Sequence, residues 1–221
     1  MRSLKRDGPT LQERQKQRSR ESILQAAKAV LTEKSYASMA IEEVIARANV
    51  SRATFYKYFD SKLAIGRELH AEFAPRLSAV YDVLLSYDDP TEPELVDWIK
   101  QVVELYRQEK DLIVTFAHML ATEPDFHPIM INIIRETELR WAKRIPAFRL
   151  PASNAPEAMR AHIESRLLLR QLNDFCYEVA IFDWPIDLTE GCRIMAGYFR
   201  AFFNRYRLKG TALKPRQAGS A

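Results

Sequence analysis

Residues 38 to 62, SMAIEEVIARANVSRATFYKYFDSK, constrain the fold more than any other stretch of this chain. Two short apolar patterns of helical period meet at Ala48-Asn49-Val50-Ser51, leaving only a few residues between them. The first starts at Ser38 and places Ile41, Val44, Ile45 and Ala48 on an inner face, with Glu42, Glu43 and Arg47 pointing out. Helices joined steeply by so short a turn need a residue that reaches positive φ, and Asn49 is one of the few non-glycine types that tolerate it. Ser51 then caps another helix. The spacing predicts a helix-turn-helix.

The residues of that last helix separate by role. Val50, Phe55 and Phe59 are the apolar members able to face the preceding helices, and Arg52, Thr54, Tyr56, Lys57 and Tyr58 remain outside, with small Ala53 between them. A core helix does not present Arg, Tyr, Lys and Tyr on one surface. A merely solvated helix does not expose two tyrosines, whose rings need something to lie against. A groove of double-stranded DNA is such a surface: Arg forks onto guanine, Thr and Ala touch a thymine methyl, and Tyr and Lys hold phosphates. Arg47, Ser51 and Lys62, at the margins of the motif, complete this expected set.

The charge distribution agrees. Residues 1 to 62 carry 13 Lys and Arg against 7 Asp and Glu, whereas the remainder carries 20 against 22, so the net +4 belongs to the N-terminal third. Residues 1 to 18 are polar, contain Gly8 and Pro9, and lack an apolar period, which predicts a flexible basic arm. Its Arg14, Lys16 and Arg18, with the adjacent Arg20, are suited to a phosphate backbone or a minor groove, or else form a solvated tail. No apolar run approaches a membrane span and the first residues have no signal-peptide core, so the expectation is a cytoplasmic protein with no membrane partner. Cys176 and Cys192 lie inside apolar patterns and read as core residues.

A first helix opens at Ser19 or Arg20 and carries Ile23, Ala27, Val30 and Leu31. Residues 60 to 87 form a long helix in which Pro75 predicts a kink or break near 71 to 75. Proline-bounded helical periods follow at about 92 to 108, 111 to 121, 126 to 148, 156 to 183 and 188 to 207, with no strand-like alternation. The fold class is all-α, with about nine helices. On the last two helices, Leu168, Leu172, Met195, Phe199, Phe202 and Phe203 are expected at a two-fold contact between subunits, the alternative being burial within one chain.

Catalytic patterns are missing. There is no Gly-rich phosphate loop, no G-x-S-x-G elbow and no Cys/His nucleophile pair, and six glycines leave little material for one. His118, Glu123 and His127 straddle Pro124, which breaks the alignment a metal site would need. The reading is of a non-enzyme without cofactor or metal.

The string VIARANVSRATFYKYFDSK resembles the N-terminal motif of the TetR family of bacterial transcriptional regulators, roughly "IA..AGVS.GTLY.YF..K", with the likeness covering residues 20 to 65. Asn49 stands at the family's turn glycine and Ile45 at a small alanine. Ala40 stands at a frequent phosphate-binding threonine, and Ser38 is the neighbouring hydroxyl able to replace it. The resemblance implies a three-helix DNA-binding head at 19–65, a helical effector-binding and dimerisation body at 66–208, and, outside them, the arm at 1–18 and a disordered tail at 209–221. It also implies an apolar effector cavity among the later helices. Trp98, Tyr106, Phe116 and Met119, together with Met130, Trp141, Phe175 and Tyr177, are its candidate lining. The function implied is a homodimeric repressor released from a palindromic operator by a small apolar molecule. A helical dimer whose head binds protein, or a small-molecule enzyme of helical fold, are the other readings.

Overall fold

The computed structural model describes residues 10–151 and 156–206. The expected tail at 209–221 and residues 1–9 of the expected arm lie outside them. Among the described residues the chain is helical throughout, without strands: α1 Leu11–Glu33, α2 Ile41–Ala48, α3 Arg52–Tyr58, α4 Lys62–Asp82, α5 Glu92–Gln108, α6 Lys110–Thr122, α7 His127–Ala142, α8 Pro156–Ala180 and α9 Leu188–Tyr206. Short 3₁₀ turns occupy Val83–Ser86, Pro124–Phe126 and Pro146–Phe148. No helix among them is long and apolar enough to cross a membrane.

The chain divides into two compact units. Of the described residues, the first contains those up to 74 together with 111–130, and the second contains 75–110 and those from 131 on. That first unit holds α6 together with the helices of the expected head at 19–65. In the first unit Ile23, Leu24, Ala27 and Val30 of α1, Val44 of α2, Phe55 of α3 and Ile65 and Leu69 of α4 form one core, each 2% exposed or less. α4 comes so close to α6 that a Cβ on Gly66 would lie 2.2 Å from Met119 Cε. The second unit is built on α5, whose Leu95, Trp98, Ile99, Val102 and Val103 are fully buried, with α8 and α9 packed on it. Cys176 and Cys192 are buried free thiols, and burial pushes the Cys192 thiol up to about 11.

Several expectations are corrected. Helix α1 opens at Leu11 instead of residue 19 or 20, so the described part of the arm is helical. Thr10 caps it, accepting from Glu13 N at 3.2 Å while the Glu13 carboxylate accepts from Thr10 N at 2.7 Å. Helix α4 runs unbroken through Pro75. The carbonyl that proline leaves without its usual partner belongs to Ala71. Ala71 and Pro75 are both exposed, so solvent can serve that carbonyl. Helix α7 stops at Ala142, short of 148, because Pro146 disfavours helical backbone at the residue before it.

Candidate nucleic-acid interface

The second and third helices are set at their angle by Asn49. It adopts φ 52° and ψ 47°, the left-handed conformation, and its N–H reaches the Ala46 carbonyl at 3.2 Å. Helix α2 starts at Ile41 behind Ala40, whose N–H donates to the Glu43 carboxylate at 3.3 Å, so Ser38 is not the cap. Ser38 instead pairs its hydroxyl with that of Ser35 at 2.8 Å. Ser51 caps α3 as expected, its Oγ accepting from Thr54 N at 3.0 Å.

Helix α3 is short and turns its sides to different surroundings. Phe55 is fully buried, Phe59 just beyond its end is 3% exposed, and Val50 is half-buried. Ser51, Arg52, Ala53, Tyr56 and Lys57 are exposed, and Thr54 and Tyr58 half-exposed. The backbone thus brings seven of the expected DNA-contacting residues, Ser51 through Tyr58 without Phe55, onto one short element. Tyr56 is 43% exposed, with its ring edge-on to buried Phe55 at 5.3 Å. Such packing stiffens a side chain that remains partly exposed. The Arg52 guanidinium lies 5.6 Å from the Tyr56 ring centre and 3.3 Å from the Glu42 carboxylate, and Lys57 lies 6.0 Å from the Tyr58 ring.

Two of the expected contacts are already engaged elsewhere. Arg47 donates from both terminal nitrogens to the Glu33 carboxylate, at 2.7 and 2.8 Å, which raises the Arg47 pKa and lowers that of Glu33. The Lys62 ammonium donates to the carbonyls of Tyr36 at 2.9 Å and Ala37 at 3.3 Å and sits 4.5 Å from the Tyr36 ring centre. Both residues hold the head together: Arg47 ties α2 to the end of α1, and Lys62 ties α4 to the segment after α1. Tyr36 in turn donates its hydroxyl to Glu123 at 2.9 Å.

The candidate effector residues have core partners. Trp98 donates to the Val80 carbonyl at 3.0 Å and meets Phe199 edge-on at 5.0 Å. Trp141 donates to Asp82 at 3.0 Å, and Tyr106 donates to Asn173 at 2.6 Å. Phe116 stacks with Phe126 at 6.0 Å, Met119 is fully buried beside Gly66, and Met130, Phe175 and Tyr177 are half-buried. An open groove at the start of α8 is lined by Pro156, Met159, Arg160, Ile163 and Glu164, none of them among the eight expected.

Most of the candidate dimer residues are buried as well. Leu168, Leu172, Met195, Phe199 and Phe202 are each 6% exposed or less within a single chain, and Phe203 is half-buried. Packing on α5 and on each other consumes them. The apolar side chains left outward are Met159, Ile163 and Leu167, at four-residue steps on α8, and Ile194 and Tyr198 on α9. Counting apolar positions cannot separate these stripes on helices that are apolar on two sides.

Residues 23–69 match the model of the bacterial regulatory proteins of the tetR family. An uncharacterized HTH-type transcriptional regulator of Mycobacterium tuberculosis is 40% identical over 70 residues, 32% of this chain and 33% of that protein. The chain is thus matched over about one third of the length of the curated relatives. Among solved structures, a tetR-family transcriptional regulator from Streptomyces coelicolor has a TM-score of 0.63 at 13% identity, covering 85% of this chain and 81% of that one. SmeT in complex with triclosan follows the fold with a TM-score of 0.55 at 18% identity, covering 92% and 98%. Thermus thermophilus FadR, a TetR-family transcriptional repressor in complex with lauroyl-CoA, does so with 0.50 at 20% identity, covering 91% and 100%. At these identities the likeness is one of fold.

Proposed function

Through residues 23–69 this chain belongs to the tetR family of bacterial regulatory proteins, and on that premise we propose that it is a homodimeric repressor, released from a palindromic DNA operator by a small apolar molecule. The observation that carries the reading is α3. Phe55 anchors a rigid, capped helix in the head while Arg52, Tyr56 and Lys57 stand outside it. Arg52 reads a guanine edge, Ala53 and Thr54 lie against thymine methyls, and Tyr56, Lys57 and Tyr58 fix the helix on phosphates. Arg47 and Lys62 act indirectly, by holding α2 and α4 in register.

Dimerisation uses the outward stripes of α8 and α9. Met159, Ile163 and Leu167 with Ile194 and Tyr198 expose apolar surface, and nothing lies within 4 Å of a Cβ built on Gly197, so a second copy can approach closely there. A two-fold pair places two copies of α3 in successive major grooves, about 34 to 36 Å apart. The complexes of SmeT with triclosan and of FadR with lauroyl-CoA, an acyl chain on a charged carrier, support an effector with an apolar portion by analogy of fold. An effector that favours a different separation of the recognition helices, with a coupling of about 1 to 3 kcal/mol, weakens operator binding roughly 5- to 150-fold.

The test uses a duplex enriched from genomic fragments by the wild-type chain. Arg52→Ala and Tyr56→Ala each weaken binding to it, Arg52→Ala by about 1 to 3 kcal/mol, the usual value of a bidentate base contact. Helix content and oligomeric state stay unchanged. Wild-type affinity in both variants would overturn the role given to α3.

A further inference from the structure

Helix α1 begins well before its first buried residue. From Leu11 to Arg18 every residue is exposed, Leu11 by 85%, and the first buried position is Ile23. Burial therefore gives no reason for these first turns to be helical. Local chemistry does: the reciprocal Thr10 and Glu13 cap, a Gln17 to Glu21 side-chain bond of 2.7 Å, and a run of Gln, Glu, Arg and Lys free of glycine, proline and β-branched residues. The segment also continues a packed helix, so it needs no nucleation of its own.

Its charges divide by side. Glu13 and Glu21 are occupied by the cap and by Gln17, and Arg20 pairs with Glu68 on α4. Arg14 and Arg18, four residues apart, continue the stripe that reaches Ser22, while Lys16 lies on the opposite side with Arg20. Ser22 fixes where that stripe leads. Its hydroxyl donates to the Ala48 carbonyl at 3.1 Å, at the end of α2 and directly before the Asn49 turn into α3. The basic stripe is thus rooted beside the N-terminal end of α3, the end that in helix-turn-helix proteins meets base edges. At 1.5 Å per residue, the helix extends about 17 Å from Ser22 to Leu11, a length comparable to half a turn of duplex.

We infer that the first turns of α1 are a second, sequence-independent DNA contact, in which Arg14 and Arg18 engage phosphates bordering the groove that α3 enters. This rests on the reading of α3 as the recognition helix. The contact adds affinity and salt dependence without adding base preference.

The experiment titrates full-length protein against two 30-base-pair duplexes, one enriched by the wild-type chain and one of scrambled sequence, at several salt concentrations. Arg14→Gln/Arg18→Gln keeps helix-forming side chains and removes the charges. Two lost phosphate contacts make the slope of log affinity against log salt shallower by about 2, so the wild-type advantage shrinks roughly 12-fold between 50 and 200 mM salt. The loss is equal on both duplexes. Arg14→Lys/Arg18→Lys restores the slope, and Lys16→Gln, on the other side of the helix, leaves it nearly unchanged. An unchanged slope in the double Gln variant overturns the inference while the α3 reading stands, and a loss confined to the enriched duplex overturns it as well. A wild-type chain that binds neither duplex at low salt overturns both.

Discussion

Arg52 and Arg47 differ in how firmly their surroundings hold them. Arg52 has the Glu42 carboxylate at 3.3 Å and the Tyr56 ring as neighbours, and its side chain is 68% exposed. Exposed pairs of this kind are worth at most about 1 kcal/mol, so a move onto a base edge sacrifices little. Arg47 makes two short bonds to one carboxylate, a geometry it gives up less readily. His70 is the residue whose environment predicts a pH effect. It is 6% exposed, lies edge-on to Phe116 at 5.3 Å and Phe126 at 5.6 Å, and its Nε2 has no hydrogen-bond partner among the described residues. Burial holds its pKa below the usual 6.5. Above that pH His70 is neutral both folded and unfolded, so its titration costs nothing. As pH falls through it the unfolded chain takes the proton first, and stability is lost. Thermal unfolding between pH 7.5 and 5.5 is therefore expected to show a larger fall in Tm for the wild type than for His70→Phe; equal falls would count against a buried neutral histidine.

At the level of elements, the α2–α3 turn is the joint on which the interface depends. Asn49 holds a positive φ of 52° that other L-residues enter at a cost. Asn49→Ala is expected to destabilise the head by about 1 kcal/mol, and Asn49→Gly to be neutral or stabilising by up to about 1 kcal/mol. Urea unfolding followed by far-ultraviolet circular dichroism checks both, and an Ala variant as stable as the Gly variant would show that the turn conformation is not limiting. This joint was legible in the sequence because its signals are local: an αL-tolerant residue, a serine cap, and Phe55 and Phe59 one turn apart. The start of α1 was missed for the converse reason. Apolar period reveals helices that pack, and residues 11–18 are all exposed, although the Thr10 to Glu13 capping pattern was there to be read. Arg47 and Lys62 look like surface cations in the sequence. Their partners, Glu33 and the carbonyls of Tyr36 and Ala37, are brought to them only by the packing of the head.

On the scale of the whole molecule, the all-helical class followed from periods and prolines, but the allocation of apolar faces did not. Leu172 and Phe199 are consumed by the core of one chain while Ile163, Leu167 and Tyr198 stay outside, and only the three-dimensional packing of α8 and α9 on α5 decides between them. The same holds for Trp98, Tyr106 and Trp141, whose hydrogen bonds to Val80, Asn173 and Asp82 make them parts of the second unit's core. The proposed function, in which two copies of α3 read DNA, makes one demand on the nucleic acid, a repeat matching a two-fold symmetry. Selection of bound fragments from a random-sequence duplex pool by the purified full-length chain tests that demand most directly. The account predicts enrichment of an inverted repeat whose half-site centres lie one helical turn, about 10 base pairs, or a multiple of it apart. Recovery of no enriched sequence at low salt, or of an unrepeated one, would contradict it.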